Sequence, residues 1–160
     1  MKAIIVDDEQ NARKTLELMI NEYCENVEIV GSASSALEGI KLVNTLQPDL
    51  VFLDIEMPHG SGFDLLDGID NKSVDVIFTT AYNHYAIKAI KFNAFDYLMK
   101  PINIDELVEA VDKLKNRNRE SNNVRNEGLV EGIKNNKFDK ISVFVDGTYH
   151  FVNFLSLIHI

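Results

Sequence analysis

At 160 residues, with 46% apolar and 26% charged residues, the chain can build one well-packed domain and a fragment of another. No apolar stretch approaches the ~20 residues that cross a bilayer, "MKAIIVDDEQ" turns acidic too soon for a secretion signal, and the single Cys24 excludes an internal disulfide or a cysteine metal knuckle. The net charge of −9 is uneven: residues 1–116 hold 10 Lys/Arg against 20 Asp/Glu and would repel nucleic acid, whereas residues 117–160 hold 6 against 5.

Short apolar runs alternate with helical patterns along the chain. "KAIIV" (2–6) reads as a strand, and "EQNARKTLELMINEYC" (9–24) places Ala12, Leu16, Met19, Ile20 and Tyr23 on one helical face. A strand over 27–33 and a helix over 35–46 follow, the helix stopped by Pro48. "LVFLDI" (50–55) is nearly continuous apolar, as expected of a strand covered on both faces. A loop containing Pro58 and Gly60 leads to a short helix over 62–69, with Gly62 expected to supply backbone angles that other residues resist. A strand over 74–81, a helix over 84–93 and a strand over 94–99 come next. Ile104, Leu107, Val108, Val111 and Leu114 then mark a helix over 103–118. Five strand–helix repeats predict an α/β fold, a doubly wound five-stranded parallel sheet with helices on both faces.

In such a sheet, ligands sit at the carboxyl ends of the strands. Those ends carry Asp7 and Asp8, Asp54, Thr79 and Thr80, and Lys100, which closes an apolar strand and precedes Pro101. Three carboxylates gathered at one edge repel one another and suit a divalent cation, and oxygen-only ligands suit Mg2+. Lys100 would balance the carboxylates and neutralise an arriving phosphoryl group.

The pattern "VDDE", "FLDIEMPHGSGFDLL", "TTAY", "DYLMKP" resembles the receiver domain of bacterial two-component response regulators, a flavodoxin-like fold, over residues 1–118. The resemblance implies that Asp54 accepts a phosphoryl group from a sensor histidine kinase. It also implies that Asp8, Asp54 and the backbone carbonyl of Glu56 hold Mg2+, with Asp7 orienting a ligand water. Lys100 would contact the phosphoryl group, Thr80 would swing to hydrogen-bond it, and Tyr97 would turn inward as Thr80 moves. A homodimer through the helix 4–strand 5–helix 5 face is implied as well. Such a protein is a phosphoacceptor in the cytoplasm, catalysing only its own phosphorylation and dephosphorylation. The chemistry is independent of the resemblance: transfer to a carboxylate needs positioning and charge neutralisation, which a metal and a lysine supply.

Plainer readings exist for each residue. Asp7 and Asp8 could cap the first helix, Asp54 could be a solvated strand end, Thr80 a β-former, Tyr97 and Phe95 core aromatics, and Lys100–Pro101 a loop start. Five such accidents at the correct strand ends are improbable together. His59, His84, His150 and His159 have no ligand spacing. A nucleotide-binding α/β domain needs a glycine-rich turn after strand one, where this chain has "VDDEQN". A phosphohydrolase of the haloacid dehalogenase type starts with its nucleophile on strand one, the reverse of this order.

Residues 119–136 are polar and Asn-rich and read as a linker. "DKISVFVDGTYHFVNF" (139–154) alternates around Asp146-Gly147, a strong hairpin signal. The hairpin could be an addition to the receiver. The receiver's "TTAYNHYAIKAIKFNAFDYLMKPI" resembles receivers that carry LytTR-type DNA-binding domains, so residues 137–160 are expected to be the truncated start of one. DNA would then be bound only through the missing output domain, and a stand-alone receiver acting through protein contacts is the alternative. The last six residues, "LSLIHI", equal one reading frame of a transposon end used in sequencing libraries, so 155–160 are expected to be adapter-derived.

Overall fold

Five apolar runs pair side by side in the computed structural model, which describes residues 1–70, 73–126, 141–145 and 148–152. The strands are β1 (Lys2–Val6), β2 (Glu28–Ala33), β3 (Leu50–Asp54), β4 (Asp75–Thr80) and β5 (Asp96–Met99). They form one parallel sheet in the order β2-β1-β3-β4-β5. Helices α1 (Gln10–Tyr23), α2 (Ala36–Leu46), α3 (Gly62–Gly68), α4 (Ala86–Lys91) and α5 (Ile104–Asn126) alternate with them. The helix expected over 103–118 thus continues to Asn126, into the stretch read as linker.

Strand alternation divides the core into two layers. Ile4, Val6, Val51, Leu53, Val76 and Phe78 face one way and pack with residues of α2 and α3, such as Val43 and Leu65. Ala3, Ile5, Leu50, Phe52 and Ile77 face the other way, against Leu16 and Ile20 of α1 and Leu107, Val111 and Leu114 of α5. All five residues of β3 are buried, because this central strand is covered on both faces. On α1 the expected apolar face holds at Leu16 and Ile20, but Tyr23 is 44% exposed.

The helix expected over 84–93 is broken. A 3-10 turn occupies Asn83–Tyr85, α4 runs only to Lys91, and Asn93 takes a left-handed φ of 58°. Contacts from Tyr82 and Tyr85 to neighbouring elements hold the start of the segment in a turn.

Helix α3 begins with a reciprocal cap. Ser61 Oγ accepts from the Asp64 backbone N–H at 3.3 Å, while Asp64 Oδ2 accepts from the Ser61 backbone N–H at 2.6 Å. Ser61→Ala should therefore lower stability by about 1 kcal/mol, read as a lower urea midpoint at unchanged slope.

Two compact units are present, Met1–Asn123 and Val124–Ile160. In the second, β6 (Ile141–Val145) and β7 (Thr148–Val152) pair antiparallel, with Val145 opposite Thr148. The expected hairpin is present as these strands, while Asp146-Gly147, residues 127–140 and the suspected adapter at 155–160 lie outside the described residues.

Candidate functional site

The parallel register brings the carboxyl ends of β1, β3, β4 and β5 to one edge of the sheet. Val6 lies opposite Leu53, Asp54 opposite Thr79, and Thr80 opposite Met99. Asp7, Asp54, Thr79 and Thr80 are buried, an unusual set of polar groups for a sheet interior.

Lys100 joins the acids. Its Nζ lies 2.8 Å from Asp7 Oδ2 and 2.8 Å from Asp54 Oδ2, with Glu9 Oε1 at 3.9 Å. The Lys100–Pro101 bond is cis. Burial alone would lower the ammonium's pKa, but the hydrogen bonds and charges of Asp54 and Asp7 outweigh it and leave the pKa raised. Asp54 is raised as well, chiefly by burial and further by Asp7, against the opposing pull of Lys100 and the Glu56 N–H.

Asp7 does not cap α1 in the ordinary way. The N-cap position is Glu9, which makes no side-chain cap bond. Asp7 Oδ1 accepts from the Glu9 backbone N–H at 2.9 Å, and its other oxygen faces Lys100. The carbonyls of Asp7 and Asp8 are gripped from below by Arg13 Nη1, at 2.5 and 3.1 Å. Sequence reasoning missed Arg13, although a cation in the first turn of the helix after two aspartates was a usable signal.

Carboxylate oxygens of Asp7, Asp8 and Asp54 lie within 4.8 Å of one another. Such an all-oxygen set, two members of it buried, fits a hard divalent cation of the Mg2+ class. Glu56, whose backbone carbonyl was expected as a ligand beside Asp8 and Asp54, follows directly after Ile55, and its N–H donates to Asp54 Oδ1 at 3.3 Å.

Gly62 sits against this loop for a different reason from the expected one. The left-handed backbone angles belong to His59, at φ 63°, and Gly60, at φ 156°, and not to Gly62. A Cβ on Gly62 would lie 2.4 Å from the carbonyl oxygen of Asp54, so space and not conformation demands glycine there.

Thr80 Oγ1 accepts from the Tyr82 backbone N–H at 3.4 Å. Tyr97 donates its hydroxyl to the carbonyl of Tyr82. Burial, with smaller contributions from Tyr85 and Asp54, pushes the Tyr97 phenol up to about 12. Tyr85 Oη donates to Glu56 Oε1 at 2.8 Å, a contact with no sequence signal. Of the histidines, His84 stacks near Tyr85 at a centroid distance of 4.1 Å and none joins the acidic cluster among the described residues.

Residues 3–112 match the family described as "Response regulator receiver domain". The chain is 43% identical over 122 residues to an uncharacterized response regulatory protein of Vibrio cholerae, covering 76% of this chain and 51% of that protein. It is 43% identical over 116 residues to the transcriptional regulatory protein BtsR of Escherichia coli, covering 72% and 48%. The crystal structure of the response regulatory domain of protein mrkE from Klebsiella pneumoniae superposes with a TM-score of 0.67 at 34% identity, covering 73% of this chain and 97% of that one. The chain spans about half the length of the curated relatives it matches.

Proposed function

Because this chain belongs to the response regulator receiver domain family, we propose that Asp54 is its phosphoacceptor and that a sensor histidine kinase is the donor. The observation that carries the proposal is Lys100 Nζ held 2.8 Å from both Asp54 and Asp7 at the carboxyl edge of a parallel sheet. A bond forms between an Asp54 carboxylate oxygen and phosphorus as the phosphorus–nitrogen bond of the donor phosphohistidine breaks. The leaving imidazole takes up a proton.

Asp8, Asp54 and the Glu56 carbonyl would hold Mg2+, with Asp7 placing a ligand water; the cation would neutralise charge on the transferring oxygens. Lys100 supplies the second positive charge, and needs only to pass from one Asp54 oxygen to the phosphoryl group attached there. Thr80 then donates its hydroxyl to the new group, and Tyr97 turns inward into the space it leaves.

The altered surface is that of α4, β5 and α5, and it serves as a homodimer face. Ile87 at 69%, Ile90 at 40% and Met99 at 36% exposure support this reading. Likeness to a transcriptional regulatory protein over about half its length supports a role in transcription regulation; the resemblance of "TTAYNHYAIKAIKFNAFDYLMKPI" is what supports a LytTR-type output domain after the receiver. Residues 1–118 are then the receiver, 119–136 its linker and 137–160 the start of the output domain. Among the described residues no helix is long and apolar enough to cross a membrane; the cytoplasmic location is part of the proposal and follows from the resemblance. A stand-alone receiver is the second reading.

Intact-protein mass after treatment with acetyl phosphate tests the proposal. One phosphoryl addition that needs Mg2+ and disappears in Asp54→Ala is expected. No addition to a folded wild-type chain would sink it. Sedimentation of the same sample should show dimers only after phosphorylation.

A further inference from the structure

Between β4 and α4, residues 81–85 are held at three points. The Tyr82 N–H donates to Thr80 Oγ1 at 3.4 Å, the Tyr82 carbonyl accepts from the Tyr97 hydroxyl, and Tyr85 Oη donates to Glu56 Oε1 at 2.8 Å. The first two involve residues assigned above to the response. The third crosses to the loop after β3, where the Glu56 N–H donates to Asp54 Oδ1 at 3.3 Å. One side-chain hydrogen bond thus ties the neighbourhood of Asp54 to the segment that Thr80 and Tyr97 hold.

Geometry makes this tie an obstacle to movement. In the response assigned above Thr80 swings toward a group on Asp54 and Tyr97 turns inward, and both give up their bonds to Tyr82 as they move. Releasing Tyr82 shifts the segment, and Tyr85 rides on it, its ring 4.1 Å from His84 and 6.0 Å from Phe63 between centroids. Its hydroxyl must then part from a carboxylate on a different loop. A bond made in one state and lost in the other biases the equilibrium by its own strength.

We propose that the Tyr85–Glu56 hydrogen bond is a latch on the unphosphorylated arrangement, making Tyr85 a positioning residue that sets how readily Asp54 takes a phosphoryl group. The latch rests on the phosphoacceptor reading above. Glu56 is exposed and water competes for its carboxylate, so the bias amounts to about fivefold.

Tyr85→Phe removes the hydroxyl and keeps the ring, while Glu56→Ala removes the acceptor. Without ligand, relaxation dispersion on the amides of residues 81–85 reports how often the segment leaves its resting place. Each variant should raise that population about fivefold, and the double variant should raise it no further. Affinity for beryllofluoride with Mg2+, a phosphoryl mimic, should rise by the same factor in Tyr85→Phe, since coupling is reciprocal.

Unchanged exchange in Tyr85→Phe, or two effects that multiply in the double variant, would overturn the latch while the wild type still binds the mimic. A folded wild type that fails to bind the mimic overturns the phosphoacceptor reading, and the latch's role with it. The two failures are therefore distinct.

Discussion

Lys100→Ala should cost the fold about 2 kcal/mol at neutral pH without divalent cation. Removing one partner of a fully buried ion pair costs ~3–5 kcal/mol; here the lysine side chain is 18% exposed, so water softens the loss. What remains is a pair of buried carboxylates, Asp7 and Asp54, with no cation between them.

The pH dependence has a definite sign. Burial already raises the Asp54 pKa, and Lys100 opposes that rise through its hydrogen bond and charge. Without Lys100 the folded value climbs further above the unfolded one of ~3.9. A carboxyl raised in the folded state favours folding below its unfolded pKa, and loses that contribution as pH rises through the folded value. The deficit of Lys100→Ala relative to wild type should therefore be full at pH 7 and shrink as the buffer approaches pH 4. Lys100 itself has a raised pKa, so its contribution in the wild type is fully present below the unfolded value of ~10.4 and is lost only in alkali.

Mg2+ should stabilise both proteins by occupying the same acids, by about 1.4 kcal/mol at a free concentration ten times the Kd of each, and should narrow the gap only as far as it binds Lys100→Ala more tightly. Lys100→Met keeps the aliphatic stem and should show the same pH dependence. Urea unfolding at pH 4.5 and pH 7, with and without Mg2+, measures all of this. A deficit independent of pH would mean that packing of the stem, and not charge, is what Lys100 supplies.

The site was legible because it is built on strand ends. Once "KAIIV", "LVFLD" and "DYLM" are recognised as parallel strands, Asp7, Asp54 and Lys100 have only one edge on which to meet. The two-layer core was legible for the same reason, since Leu107, Val111 and Leu114 can share a helical face in only one way.

The connections were not legible. Ile87 and Ile90 give α4 an apolar periodicity, but they are exposed and only Ala89 is buried, so burial does not extend the helix. Its start is decided by hydrogen bonds from Tyr85 and Tyr97 to partners 29 and 15 residues away. Arg13 stood in the sequence as a cation soon after two aspartates, but its grip on their backbone carbonyls leaves no trace in a pattern of side chains. Gly62 was read for its flexibility when the determining quantity was a distance to a backbone atom, visible only once the loop has folded.

That distance supports the second large effect, because intrinsic propensity and contact predict opposite signs. Gly62 is the first residue of α3, where replacing glycine by alanine gains up to ~1 kcal/mol of helix propensity. The added Cβ, however, would stand 2.4 Å from Asp54 O, 3.0 Å from Leu53 Cγ and 3.3 Å from Asp54 C. Two of those atoms are backbone at the end of a fully buried strand, and they cannot swing aside. Either α3 or the end of β3 must move, at a net cost of about 2 kcal/mol. Movement of Asp54 also disturbs its 2.8 Å contact with Lys100, so phosphorylation by acetyl phosphate should slow by about tenfold or more. Gly68→Ala is the control: its Cβ meets the terminal Ile40 Cδ1 at 2.6 Å, the far end of a flexible side chain. Its stability should change by less than about 0.5 kcal/mol, with the phosphorylation rate untouched. A Gly62→Ala chain as stable and as quickly phosphorylated as wild type would mean that the β3–α3 loop yields freely, and that Asp54 is not held in place by this contact.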